Sequence, residues 1–177
     1  MTDTGTVNAG RAGLYGTRRR FAMVLRRFPW IAVTIQRLYQ IVQPRFTIGA
    51  VGVLLDASGD HVFLVEHVFH AVHPWGLPGG WLDRREDPAD GVAREFREET
   101  GLRVRAVRPL LIQRATGMPH HMDVAYLCAL DGEPQAVTLC GELLAARWVP
   151  WDAIPPMIEF QALALRTAAE QAGNHYE

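Results

Sequence analysis

Lysine is missing from this chain of 177 residues: all 18 of its basic side chains are arginine. That bias supports no functional assignment. Long apolar runs are missing too. No stretch approaches the roughly 18 consecutive apolar residues of a membrane span, so a spanning helix is not expected. Cysteine is scarce. Cys128 and Cys140 are the only two, without metal-ligand spacing. They read as two reduced thiols of a cytosolic protein, which excludes a disulfide scaffold. Neither an internal repeat nor a low-complexity segment is visible. Acidic residues are almost absent from the first 45 positions, where Asp3 faces eight arginines, while the remainder holds 18 acids and ten arginines. A body of that balance lacks the basic face of a nucleic-acid-polymer binder, so no such partner is expected.

Apolar residues make up 49% of the chain, enough for one sizeable core. The organising stretch runs from Gly79 to Leu102, GGWLDRREDPADGVAREFREETGL. Asp87 suits a helix N-cap and Pro88 the first helical position, where a missing N–H costs nothing. Asp90 puts negative charge in the first turn, and Gly101 sits where helices end in a left-handed residue. Ala89, Val92, Ala93 and Phe96 form the apolar stripe of this helix. Glu95, Glu98 and Glu99 stand at i, i+3 and i+4, so three carboxylates converge beside it. Charge alone leaves two readings. One is a solvated face salt-bridged by Arg94 and Arg97. The other is a hard-cation site, because Mg²⁺ and similar ions take oxygen ligands and offset the repulsion.

The spacing adds to that choice. From Gly80 the chain runs glycine, five residues, Glu86, seven residues, Arg94, Glu95, Phe96, one residue, Glu98, Glu99, one residue, Gly101, Leu102. This resembles the Nudix box, G-x5-E-x7-R-E-U-x-E-E-x-G-U, at every position. The box spans 23 residues. The resemblance implies an α/β fold, a Nudix-type α/β/α sandwich with a mixed sheet, over residues 45–177. It implies a metal-dependent hydrolase that cleaves the pyrophosphate bond of a nucleoside diphosphate linked to another moiety. Mg²⁺, or Mn²⁺, would be held by Glu95, Glu98, Glu99 and the carbonyl of Gly79. The catalytic set would be Glu95, Arg94, Glu86 and Glu142. Glu95 is either a metal ligand or the general base, with Arg94 orienting it and Glu86 orienting Arg94. Glu142, in GELLAARWVP, matches a loop glutamate that assists the metals or acts as base in many members. It reads equally as an ordinary loop carboxylate opening a strand. The alternative function is a catalytically idle Nudix-fold module that binds a ligand. Such modules commonly lose box glutamates, and here all are present. The box names no particular nucleotide, and no substrate-binding residue is assigned.

Ahead of this domain, residues 1–16 are expected as a mobile polar tail and residues 17–44 as a basic amphipathic helical extension. Arg18 to Val42 reads as helix broken near Pro29, with Phe21, Val24, Leu25 and Phe28, then Ile31, Ile35, Leu38 and Val42, at helical spacing. Three roles stay open. The segment packs on the domain or on a second copy as a homodimer, makes peripheral contact with a membrane surface through residues 18–42, or targets an organelle. Arg26 and Arg27 interrupt its apolar core, which argues against a secretory signal. Strands are expected at Phe46–Leu55, His61–Val68, Val104–Gln113, His121–Leu130 and Leu143–Pro150, and a final helix at Met157–Ala172. Phe69–Pro74 is a loop. His67, His70 and His73 around it read as solvent-facing or phosphate-touching rather than zinc-binding. Trp75 and Trp81 are expected to be structural. Alternation places Asp123 on one face of its strand without saying which.

Overall fold

A computed structural model describes residues 8–132 and 136–172, with side chains from residue 18 onward. The chain divides into two compact units, Met1–Pro44 and Arg45–Glu177.

The first unit is a helix pair, α1 (Asn8–Arg27) and α2 (Pro29–Val42). The break falls where expected. Phe28 is non-helical at φ −130°, ψ 75° and Pro29 opens the second helix. A proline cannot continue a helix, and it disfavours helical backbone at the residue before it. The helix begins ten residues ahead of Arg18, at Asn8. Gly10, Gly13 and Gly16 weaken a helix by about 1 kcal/mol each, which hides it from propensity, but Ala9, Arg11, Ala12 and Leu14 between them favour it. The mobile tail expected at residues 1–16 is therefore corrected over residues 8–16, which are helical, and its residues 1–7 lie outside the described residues.

The second unit is a mixed-sheet α/β domain. Strands β1 (Thr47–Leu54), β2 (His61–His67), β3 (Trp75–Gly76), β4 (Gly79–Trp81), β5 (Val104–Arg114), β6 (His121–Leu130) and β7 (Leu143–Pro150) form two sheets. Their orders are β4-β1-β6-β5 and β3-β2-β7. Among the described residues only β1 and β6 run parallel; the other pairings are antiparallel. Helix α3 (Pro88–Thr100) and helix α4 (Glu159–Ala172) complete the fold. Strands β3 and β4 fall in a stretch that side-chain pattern reads as loop. Their pairing runs through backbone groups, and two or three residues rich in glycine carry no periodicity.

The core is split by the sheets. Val53, Val62, Leu64 and Ala125 pack with Leu165 and Ala168 of α4. Ala50, Leu54, Phe63 and Val65 pack with Val92 and Phe96 of α3. Strands β1 and β2 are therefore buried on both faces, which is why they read as continuous apolar runs. Gly52 lets α3 approach. A Cβ there would meet the Phe96 ring, and would lie 2.8 Å from Cys128 Sγ and 2.9 Å from Val92 Cγ1. Burial pushes the Cys128 thiol up to about 12, so it packs as an inert hydrophobe.

Candidate active site

Helix α3 starts and stops by local rules. The Asp87 side chain accepts a hydrogen bond from the Ala89 N–H at 2.9 Å, Pro88 follows, and Gly101 closes the helix at φ 73°. The phase of the helix is thereby set, and with it the direction of its glutamates. Val92 and Phe96 are fully buried, and Glu99 follows them down to 9% exposure.

Arg94 gathers the loop and the helix. Its Nε and Nη2 donate to the two oxygens of Glu86 at 2.8 and 3.0 Å. Nη1 donates to Glu95 at 2.9 Å and to Glu98 at 3.1 Å. Nη2 also donates to the Trp81 carbonyl at 3.1 Å. Glu86 in turn accepts from the Asp83 N–H at 2.8 Å, which folds the loop between β4 and α3. Those bonds, that of Arg94 first, hold the Glu86 carboxyl down at about 2. Arg94 itself is pushed up, chiefly by Glu86.

Glu99 has a different partner. Its carboxylate accepts the Gly79 N–H at 3.0 Å. Gly79 has φ 151°, and a Cβ there would overlap the Ala50 carbonyl, so this position requires glycine. A Cβ on Gly80 would lie 2.5 Å from the Glu95 carboxylate. The two glycines therefore bring backbone against the glutamates of α3. Burial drives the Glu99 carboxyl up to about 7 against the pull of the Gly79 N–H, and the charges of Glu95, Glu142 and Glu98 add to the rise. Burial also raises Glu95, against the bonds from Arg94. Glu142 is exposed at the entry to β7, and Glu99, Glu142, Gly79 and Gly80 line one cavity of about 380 Å³. The structure thus gathers Glu86, Glu95 and Glu98 on Arg94, and sets Glu99 and Glu142 in the cavity beside them. Among the described residues no three acidic, imidazole or thiol groups are already arranged to hold a metal. Glu95 and Glu98 face Arg94 while Glu99 faces Gly79.

Other side chains reach the same cavity, and His67 among them is half-buried rather than solvent-facing as one reading of the sequence had it. His67, at the end of β2, stacks on His70 at 4.4 Å between ring centroids. Its Nε2 is buried without a partner, and burial first, then His70, lowers its pKa to about 4. Gln161 of α4 accepts the Leu77 N–H at 2.9 Å. The two tryptophans differ. Trp75 is half-buried under the Arg147 guanidinium, 4.0 Å from the ring, and is structural. Trp81 is 59% exposed and lines the cavity, so it is not a core residue as expected. It stacks on His121, which bonds Asp123.

Glu99 and His67 act oppositely on stability. The folded Glu99 pKa of about 7 lies above its ordinary 4.5. Its contribution is full below the ordinary value and is lost as pH rises through the folded one. The folded His67 pKa of about 4 lies below its ordinary 6.5. Its contribution is full above the ordinary value and is lost as pH falls towards the folded one. The two trends oppose each other between about pH 4.5 and 6.5. Metal-free Glu99→Gln should therefore show a Tm that rises with pH across that window more steeply than the parent. Parallel calorimetric profiles would mean that Glu99 is not protonated there.

A sequence model of the NUDIX domain matches residues 46–168. Among relatives, a CMP-5'-(N-acetyl-N-hydroxy-3-aminopropyl)phosphonate hydrolase of Streptomyces rubellomurinus is 50% identical over 82 residues, 44% of this chain and 38% of that protein. A MutT-like protein of Streptomyces ambofaciens is 33% identical over 107 residues, 57% of this chain and 64% of that one. The chain thus spans less than two thirds of the length of either relative. The crystal structure of an ADP-ribose pyrophosphatase from Streptococcus suis superposes with a TM-score of 0.60 at 27% identity, over 76% of this chain and 97% of the other.

Proposed function

The chain belongs to the Nudix family, and from that premise we propose that it is a metal-dependent hydrolase cleaving the pyrophosphate bond of a nucleoside diphosphate linked to another moiety. The observation that carries this reading is Glu99. Its buried carboxyl meets the Gly79 N–H at 3.0 Å and lines the cavity with Glu142, and burial first, then the charges of Glu95, Glu142 and Glu98, pushes it up to about 7. The donor set is all oxygen, which suits Mg²⁺ or Mn²⁺. Glu95, Glu98, Glu99 and the Gly79 carbonyl would hold it. A bound divalent cation supplies charge neutralisation on the phosphoryl oxygens and lowers the pKa of an attacking water. The names of the relatives, one acting on a CMP-linked phosphonate and one on ADP-ribose, support the substrate class.

Within that reading, Arg94 is a positioning residue. Its fork holds Glu95 and Glu98, and Glu86 holds the fork. Water attacks phosphorus, its proton passes to Glu142, or to Glu95 where that carboxylate is not a metal ligand, and the pyrophosphate P–O bond breaks. A nucleoside monophosphate and a second phosphorylated fragment leave. The test is a panel of nucleoside diphosphate derivatives with Mg²⁺ or Mn²⁺, coupled to a phosphatase that acts only on the products. Phosphate release abolished by EDTA is expected. Saturable binding of a panel member without turnover would favour the idle-module alternative.

For the N-terminal unit we propose peripheral contact with an anionic bilayer from the cytoplasm. Arg18, Arg19, Arg20, Arg26, Arg27 and Arg37 lie on residues 18–42 with no acid among them. The apolar Trp30, Ile31, Ile35 and Leu38 follow on α2. Among the described residues no helix is long and apolar enough to cross a membrane. Basic side chains near an anionic surface contribute about 1 kcal/mol each. Replacing Arg19, Arg20 and Arg26 with glutamate should cut sedimentation with phosphatidylglycerol vesicles about tenfold or more. Unchanged sedimentation, or a dimer in its place by ultracentrifugation, would support the packing role.

A further inference from the structure

Strand register places four side chains around a bare strip of sheet. Gly49 pairs with Trp81 on β4 and with Asp123 on β6, and Thr47 pairs with His121. Paired positions share a face, as do positions two apart on a strand, so Trp81, Asp123, His121 and Thr47 stand on one side. Gly49 is the floor between them. A Cβ there would lie 3.0 Å from Asp123 Oδ1 and 3.1 Å from His121 Nε2.

The cluster is held rigidly. His121 is 3% exposed, with Nδ1 2.7 Å from the Thr47 hydroxyl and Nε2 3.1 Å from Asp123 Oδ1. An ionised carboxylate only accepts, so Nε2 carries the proton of that bond. The Trp81 ring rests on the imidazole at 4.8 Å between centroids, while 59% of the residue stays open to water. Asp123 Oδ2 has no hydrogen-bond partner among the described residues, and the Asp123 side chain is 24% exposed. A fixed indole with one free face, beside a carboxylate with one free oxygen, lines the cavity that also holds Gly79, Glu99 and Glu142. At the rise of a strand, Trp81 lies about 7 Å along the backbone from Gly79. That offset suits a nucleotide whose phosphate lies at the glycines and whose base reaches the indole.

We infer that Trp81, His121 and Asp123 form the nucleobase subsite, and that it selects a base carrying an exocyclic amino group. The inference rests on the pyrophosphohydrolase reading for the position of the phosphates. Trp81 stacks on the base, and Asp123 accepts a hydrogen bond from the amino group. His121 occupies the other carboxylate oxygen and so fixes its direction. An oxo group at the same place on the base would set a carbonyl against the carboxylate, two acceptors with no proton between them.

Two matched pairs of mononucleotides exchange the amino group for an oxo group, and with it the adjacent ring nitrogen from acceptor to N–H: CMP against UMP, and AMP against IMP. Titrations of the full chain with Mg²⁺, followed by calorimetry, should give at least one pair whose amino member binds about tenfold tighter or more. Asp123→Asn keeps an acceptor for His121 and adds a donor, so the preference should narrow to within about threefold. Trp81→Ala should weaken both members of the pair about tenfold, and Trp81→Phe should restore most of that loss. Equal affinities within both pairs would overturn the inference, as would a preference that Asp123→Asn leaves intact or no binding of any of the four. Turnover of diphosphate derivatives without base preference would remove the subsite and leave the hydrolase reading standing. Base preference without turnover would do the reverse.

Discussion

Glu99→Gln is expected to lower kcat about 10³-fold at saturating Mg²⁺ while the protein stays folded, since losing the metal ligand proposed here would forfeit several kcal/mol of transition-state stabilisation. The fold should tolerate the change because the amide oxygen can still accept the Gly79 N–H that the carboxylate accepts at 3.0 Å. A neutral side chain also removes the desolvation that drives this carboxyl up to about 7. The metal-free variant should therefore melt no lower than the parent at pH 8. The stabilisation that Mg²⁺ confers on the parent should shrink or vanish in the variant. Full turnover at saturating Mg²⁺ would show that Glu99 does not hold the metal.

Arg94→Ala should lower kcat about 100-fold, the loss that misplacing a reactive group by an ångström produces. It should also lower stability by about 2 kcal/mol, because hydrogen bonds between charged groups are left half-made. The contacts are unequal. Glu98 has a side chain 55% exposed, so its bond from Arg94 adds little after screening. Glu86 and Glu95 are 14% and 15% exposed, and their bonds dominate. Arg94→Lys keeps the charge but cannot reproduce a fork that engages both oxygens of Glu86 and also reaches Glu95 and the Trp81 carbonyl. The lysine variant should recover less than a tenth of the lost kcat, as stopped-flow kinetics and urea unfolding would show. Recovery to within about threefold of the parent would reduce Arg94 to a point charge.

Some of the site is legible because its causes are local. Asp87, Pro88 and Gly101 bracket α3 within its own sequence, and helical periodicity alone sets Glu95, Glu98 and Glu99 on one side. The fork from Arg94 to Glu98 follows from the same i,i+4 geometry. Other parts leave weaker traces. Strands β3 and β4 carry too few side chains for a period, and α1 is masked by its glycines. Trp81 reads as structural because large aromatic residues usually are; its exposure depends on where β4 pairs.

What the sequence by itself determined is the box: its spacing, the helix that carries it, and the glycines before it. These depend on neighbours a few residues apart, whose geometry the backbone dictates. Only the tertiary structure decided that Glu142 lines the same cavity as Glu99, and that Asp123 shares a face with Trp81. Both depend on pairings between distant strands. Those registers follow from burying β1 and β2 between α3 and α4, a condition on the whole core that no local run of residues expresses.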